Sequence, residues 1–334
     1  MGVMGQGAYI LGCSGLSLTP AERAFFAQSN PWGFILFARN IDTPDQVRAL
    51  VSDLRDVVGW RAPVLIDQEG GRVQRLSHPH WRRYLPPLEQ VEMSGDNAAR
   101  SMWIRSALIA DEMADLGLDV DCAPCADIAG AGTHPFLRNR CYGSDVATVV
   151  SMSQAVVDGM AARGVQPVLK HIPGHGRATA DSHRELPRVS ASADALRATD
   201  FAAFKALNDL PMAMTAHVVY EAFDPDRCAT QSPTMVGLIR HEIGFDGLLM
   251  SDDVSMQALS GTIGARTTGS ISAGCDMVLH CNGDVGEMEQ VAAAAGMMSS
   301  PAQARADAVI AARPTPAPLD ISALEAELQA LVAG

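Results

Sequence analysis

A chain of 334 residues can bury a substantial core, and its 48% hydrophobic but only 5% aromatic content suits a helix-rich α/β protein. A formal net charge of −13 with no basic stripe argues against nucleic acid or an acidic membrane surface as a partner. It leaves room for a small ligand held by a few local Arg and Lys, and no apolar run reaches membrane-spanning length.

Short apolar runs recur along the chain at residues 8–11, 34–37, 64–66, 118–121, 165–169, 212–215, 248–250 and 277–279, with helical patterns between them. Thr19-Pro20-Ala21-Glu22 and Thr43-Pro44-Asp45-Gln46 read as capping boxes with Pro at the first helical position, and Ser300-Pro301-Ala302-Gln303 repeats the pattern. Eight strands alternating with helices in about 280 residues predict a (β/α)8 TIM barrel, whose usual size is about 250 residues. A doubly wound open sheet is the structural rival. It is weakened because no Gly-x-Gly-x-x-Gly follows the first run. After the eighth run two helical stretches are expected, broken by Pro314-Thr315-Pro316-Ala317-Pro318. The last carries Leu324, Leu328, Leu331 and Val332 on one face. We expect one domain, residues 1–334, with helices from about residue 286 packing back on the barrel.

In such a barrel the chemistry sits at the C-terminal ends of the strands. The third run ends in Asp67-Gln68-Glu69-Gly70-Gly71-Arg72-Val73-Gln74-Arg75, and the fourth leads to Asn139-Arg140-Cys141-Tyr142-Gly143. The fifth stops at Lys170-His171 and opens into a Gly/Pro loop through Ile172-Pro173-Gly174-His175-Gly176 to Asp181-Ser182-His183. The sixth ends in Ala216-His217 and the seventh in Ser251-Asp252-Asp253. Carboxylates, guanidiniums and imidazoles therefore meet at one rim, and Asp181 and His183 form a carboxylate–imidazole couple. Glycoside cleavage needs one group to protonate the leaving oxygen and another to attack. His183 could supply the first, and Asp252 or Asp253 the second. The bland alternative for the Asp pair is a helix N-cap. No Gly-x-Ser-x-Gly elbow and no His-Glu-x-x-His pattern is present, so neither a metal nor another cofactor is expected.

Seven cysteines scattered through apolar runs read as reduced core thiols. Cys122-Ala123-Pro124-Cys125 has the spacing of a metal or redox pair but stands alone, and we expect it to be structural. Ile10-Leu11-Gly12-Cys13 faintly resembles a lipoprotein cleavage site, without a charged segment or long apolar core ahead of it. A cytoplasmic location is expected.

Three blocks carry a resemblance to a family: Lys-His-Ile-Pro-Gly-His-Gly with Asp-Ser-His four residues on (170–183), Ile-Asp-x-Glu-Gly-Gly-Arg-Val-Gln-Arg (66–75) and Ser-Asp-Asp-x-Ser-Met (251–256). With them, nearly the whole chain resembles the single-domain β-N-acetylhexosaminidases of glycoside hydrolase family 3, the NagZ-type enzymes of peptidoglycan recycling. The resemblance implies Asp252 as nucleophile, His183 as acid/base and Asp181 as its partner. It implies that Asp67, Arg75, Arg140, Lys170 and His171 bind a terminal GlcNAc. It also implies a retaining hydrolase that removes β-1,4-linked GlcNAc from GlcNAc–anhydroMurNAc peptides, expected to act as a monomer. Gln68, where several relatives have His, is a departure expected to matter little. Arg177 and Arg184 could meet an anionic aglycone or simply face solvent. Two rivals remain. One is a phosphorylase using phosphate in place of water, and the other is a non-catalytic sugar-binding barrel.

Overall fold

The computed structural model describes residues 5–178 and 186–333. Its strands are β1 (Gly7–Leu11), β2 (Pro31–Leu36), β3 (Val64–Ile66), β4 (Val120–Asp121), β5 (Gln166–Pro167 and Leu169–Ile172), β6 (Met212–Thr215), β7 (Leu248–Asp253) and β8 (Met277–His280). Each overlaps one of the eight apolar runs. All pairings are parallel, running from β1 through β4 to the first part of β5, and from its second part through β8 back to β1. Between the two parts, the Val168 N–H donates to the carbonyls of Asp121 and Ala123, and Lys170 bridges to Cys125. The two parts are therefore one strand, and the sheet closes as a (β/α)8 barrel without free edges.

Strand side chains alternate between two environments, as the pleat requires. Ile10, Ile35, Leu65, Val120, Val168, Met212, Met250 and Met277 pack with one another in the barrel interior. Leu11, Phe34, Leu36, Val64, Ile66, Ala213 and Leu249 instead pack toward the helices. The same parity continues past the apolar stretch. Asp67 follows inward Leu65 by two residues, Lys170 follows Val168 and Asp252 follows Met250, and all three line one cavity at the mouth. A period of two thus turns an apolar interior into a polar pocket at the C-terminal end.

Several local expectations change. Lys170 and His171 lie within β5 rather than in the loop beyond it, and Asp252 and Asp253 complete β7. Neither Asp caps a helix. Thr262 caps the next one, Ile263–Ala273, while the Asp253 carboxylate accepts from the Ser255 N–H and Oγ and from the Cys281 N–H. Thr19 and Glu22 form a full capping box on Pro20–Ser29. On Pro44–Val58 the box is half made, because Gln46 accepts from the Asp42 N–H instead. The helix Ser300–Ala311 is capped by Ser299, one residue earlier than read.

Three helices follow β8 rather than two, the first being Val285–Ala295, which completes the eighth β/α unit. The second, Ser300–Ala311, buries Ala302, Ala306 and Val309 and lies across the N-terminal end of the barrel. There Arg305 pairs with Asp246 and Asp276, ahead of β7 and β8, and Gln166 donates to the Val309 carbonyl. The third, Ile321–Val332, buries Leu324 and packs Leu328 and Leu331 on the body, as its apolar face predicts. Among the described residues no helix is long and apolar enough to cross a membrane.

Met250→Ala tests the interior layer directly beneath Asp252. Met250 is fully buried, so its truncation should cost about 2–5 kcal/mol in urea unfolding. A loss well under 1 kcal/mol would mean that this layer is not close-packed.

Candidate active site

The cavity at the barrel mouth has a volume of about 290 Å³, and Asp67, Arg75, Arg140, Lys170, His171 and Asp252 all line it. Six expected site residues from four separate segments therefore converge. Asp181 and His183 lie outside the described residues, as does Arg184.

Lys170 organises the floor. Its side chain reaches the mouth from β5 and is 1% exposed. Its ammonium lies 2.9 Å from Asp67 Oδ1 and 2.6 Å from Glu69 Oε1. Arg75 Nη2 holds the other Asp67 oxygen at 3.0 Å. Arg140 grips Glu69 with two bonds, Nη2 to Oε1 at 2.8 Å and Nε to Oε2 at 2.9 Å. Arg140 Nη2 also lies 3.4 Å from His171 Nε2. A guanidinium only donates, so Nε2 accepts and the His171 proton sits on Nδ1, which donates to Asp127 Oδ2 at 2.7 Å. The chain Arg75–Asp67–Lys170–Glu69–Arg140–His171–Asp127 alternates sign and balances three cations against three carboxylates.

Such balance is what makes charge tolerable in a buried site. Burial alone would raise the Asp67 carboxyl, but Lys170 and Arg75 hold it well below the usual carboxylate range. Burial likewise opposes ionised Glu69, yet Arg140 and Lys170 bring it down to about 2. Burial works against the Lys170 charge, and Asp67 and Glu69 outweigh it. Asp127 is buried too, and its bonds with His171 and His175 keep it ionised.

Asp252 closes β7 at the cavity wall, where its Oδ1 accepts from the Asp253 N–H at 2.8 Å. Asp253 is positioned in turn from below by His217, whose Nε2 lies 3.1 Å from the Asp253 carbonyl while Nδ1 meets Thr230 Oγ1 at 2.7 Å. His217 is fully buried and supports the turn rather than lining the cavity. Arg177 stays exposed outside the cavity, with its Nε 2.6 Å from Asp200 Oδ2.

Four residues have roles that motif reading left unassigned. Glu69 is the hinge of the ion chain. Asp127 clips His171 through its side chain and His175 through its backbone N–H, at 2.6 Å. Its signal is a carboxylate closing the run from Cys122 to Ala126, just past β4. His175 lines the cavity beside His171, with ring centroids 5.6 Å apart. Gln68 matters more than expected. It is buried, accepts from the Arg75 and Leu76 N–H groups and donates to the Leu76 carbonyl. It thereby folds the loop that delivers Arg75.

Cys125, Asp127 and His171 place donor atoms within 4.8 Å of one another, the spacing of a metal site. These atoms already bond to each other, and the hydrogen bond with Cys141 and burial push the Cys125 thiol well above its ordinary pKa. A protonated thiol is a poor ligand. All seven cysteines are free and buried, so Cys122 and Cys125 act as core thiols.

A sequence model of the glycosyl hydrolase family 3 N-terminal domain matches residues 15–310. The chain is 38% identical to a beta-hexosaminidase of Alkalilimnicola ehrlichii over 289 residues, covering 83% of this chain and 81% of that protein. The structure of NagZ from Neisseria gonorrhoeae in complex with N-trifluoroacetyl-D-glucosamine superposes with a TM-score of 0.85 at 27% identity, covering 98% and 99% of the two chains. A glycoside hydrolase family 3 beta-N-acetylglucosaminidase from Paenibacillus superposes at 0.82 with 27% identity. It covers 98% of this chain but only 62% of that longer one.

The ion chain predicts an acid limb in stability. Glu69 titrates at about 2 when folded against an ordinary value of 4.5, so the unfolded chain takes up the proton first as pH falls. The stability it supplies is complete above about pH 5 and is lost as pH drops toward 2. Glu69→Gln removes a buried counter-charge from Lys170 and Arg140 and should cost about 3–5 kcal/mol at pH 7. It should also flatten the decline between pH 5 and 2 in urea melts. Parallel pH profiles for the two proteins would contradict an ionised Glu69.

Proposed function

The chain belongs to glycosyl hydrolase family 3, and from that premise we propose that it is a retaining β-N-acetylhexosaminidase that removes terminal β-1,4-linked GlcNAc from peptidoglycan fragments. The observation that carries this reading is the meeting of Asp252 with the paired polar floor of Asp67, Arg75, Arg140, Lys170 and His171 in one cavity of sugar-accommodating size. The floor offers fixed donors and acceptors to ring hydroxyls, and Asp252 at the cavity wall is the nucleophile in this reading. The first step forms a glycosyl–Asp252 ester as the leaving oxygen takes a proton. The second returns the sugar to water with a second inversion, so configuration is retained.

The proton must come from a group that can hold it near neutrality. Among the described cavity residues no acid fits, His171 because its ring proton is given to Asp127. Asp67 is pinned as an anion by Lys170 and Arg75, and the Asp253 carboxylate is committed to Ser255 and Cys281. Burial pushes His175 down to about 4, so it is neutral when the reaction runs near pH 7. This elimination supports His183 as acid/base with Asp181 as its partner. An imidazole with an ordinary value of about 6.5 passes protons both ways near neutral pH. Buried free thiols support a cytoplasmic setting, where fragments of the form GlcNAc–anhydroMurNAc peptide would be recycled.

Turnover of a chromogenic β-GlcNAc, its glucoside and a purified muropeptide, with and without phosphate, tests the assignment. Release of free GlcNAc in all buffers is expected, and a sugar 1-phosphate would identify a phosphorylase instead. A fluorinated sugar that traps glycosyl-enzymes should label Asp252, and Asp252→Ala should abolish turnover while remaining folded. Label on Asp253 would reverse the roles within the pair.

His183→Ala should slow sugar leaving groups far more than an activated phenol, which departs unprotonated. An equal loss on both would mean that His183 positions substrate without donating a proton.

A further inference from the structure

The loop after β5 holds its main chain on every side at His175. The Gly174 carbonyl accepts from Tyr220 Oη at 2.5 Å, and the His175 N–H donates to Asp127 Oδ1 at 2.6 Å. The His175 carbonyl accepts from the Ala178 N–H at 3.0 Å. Its two glycine neighbours are required. Gly174 sits at φ +132, and a Cβ on Gly176 would lie 1.9 Å from the Ile128 carbonyl oxygen. The backbone is thus fully engaged, and it presents one side chain to the cavity.

That side chain is 6% exposed, and neither ring nitrogen has a hydrogen-bond partner among the described residues. Buried polar atoms are ordinarily paired, and two unpaired nitrogens on one rigidly held ring call for an explanation. Core packing alone would be served better by an apolar ring. A metal is disfavoured, since the donor cluster found among the described residues does not include His175. The ring is neutral at pH 7, with its pKa pushed down to about 4 by burial. It therefore offers one N–H donor and one lone-pair acceptor.

A sugar hydroxyl needs that combination, because it both donates and accepts. The ionic floor supplies single-sense partners, with guanidiniums and an ammonium that only donate and carboxylates that only accept. We propose that His175 is a sugar-binding residue that donates to and accepts from a ring hydroxyl of the pyranoside held beside Asp252. The assignment rests on the cavity being a sugar pocket, as argued above. It makes the site more than a charged cradle, since a neutral donor–acceptor distinguishes a hydroxyl from a ligand that can only accept.

The test compares the wild type with His175→Phe, which keeps a ring without polar atoms, and His175→Asn, which restores a donor and an acceptor. Melting temperatures establish that each is folded. KM and kcat on chromogenic β-GlcNAc and β-glucoside, and GlcNAc affinity by calorimetry, are the readouts. For His175→Phe we expect KM and the GlcNAc dissociation constant to rise on the order of ten- to hundredfold, with kcat changing only a few-fold. The loss should be equal on both substrates, and His175→Asn should recover part of it. In wild type carrying ¹⁵N-labelled histidine, the imidazole signals absent from His175→Asn should shift when GlcNAc is added. Wild-type affinity in His175→Phe, no recovery in His175→Asn, or unmoved ¹⁵N signals would overturn the proposal. A loss confined to the GlcNAc substrate would place the contact on the acetamido group and overturn the hydroxyl assignment. If His175→Phe fails to fold, the Asn variant and the labelled titration still decide. A wild type that ignores GlcNAc but binds another sugar would sink the proposed function alone, and the same comparison made with that sugar would judge His175. Binding of no sugar at all would remove both.

Discussion

A single buried ammonium sets the terms for the rest of the mouth. Lys170 sits between Asp67 and Glu69 at the centre of the barrel's C-terminal end, where an uncompensated charge would be intolerable. Its two counter-charges must therefore be ionised, and each needs a second cation of its own. Arg75 serves Asp67 and Arg140 serves Glu69. The hairpin after β3, the loop after β4 and the end of β5 are locked together by that requirement. Orientation is a by-product of neutralisation, because groups that must pair cannot wander. A binding surface for hydroxyls needs this rigidity, since donors already in place lose little freedom when the sugar arrives.

The same residue types do a different job at the other end of the barrel. Asp119, ahead of β4, accepts from the Val64 N–H and pairs with Arg55 and Arg313. Asp276, ahead of β8, accepts from the Leu249 N–H and pairs with Arg240 and Arg305. These pairs face neighbouring helices and chain termini rather than a cavity, and they fasten the C-terminal helices to the strands. Charge at the N-terminal face serves stability, and charge at the C-terminal face serves a ligand. That division is the usual one for this fold.

Pinning the floor carboxylates as anions has a chemical consequence. A floor whose carboxylates Asp67 and Glu69 are held ionised binds well but cannot donate a proton from those groups. The proton source must stand outside the ion chain and titrate near neutrality. The sequence offers such a group at Asp181 and His183, which we propose as that source. On the proposed reading, binding and proton transfer fall to separate segments.

Much of this was legible in one dimension. Periodicity alone located all eight strands, and capping residues located several helix starts, because both signals depend on neighbours within a few residues. The motif blocks and the family resemblance named Asp67, Arg75, Arg140, Lys170, His171 and Asp252, and all six line one cavity. What the chain order could not show was who pairs with whom. Lys170 meets Asp67 across 103 residues and Arg140 meets Glu69 across 71, and such partnerships exist only once the barrel closes. For the same reason Glu69 and Asp127 went unassigned, and Gln68 seemed dispensable before its bonds to the loop were seen. Strand ends were misjudged at Lys170 and Asp252 because a polar side chain reads as a loop signal, although inside a barrel mouth it continues the strand's parity. Local pattern determined which elements form and which side chains face inward. Only closure of the sheet decided which inward charges neutralise each other, because burial makes pairing compulsory and burial is a property of the whole fold.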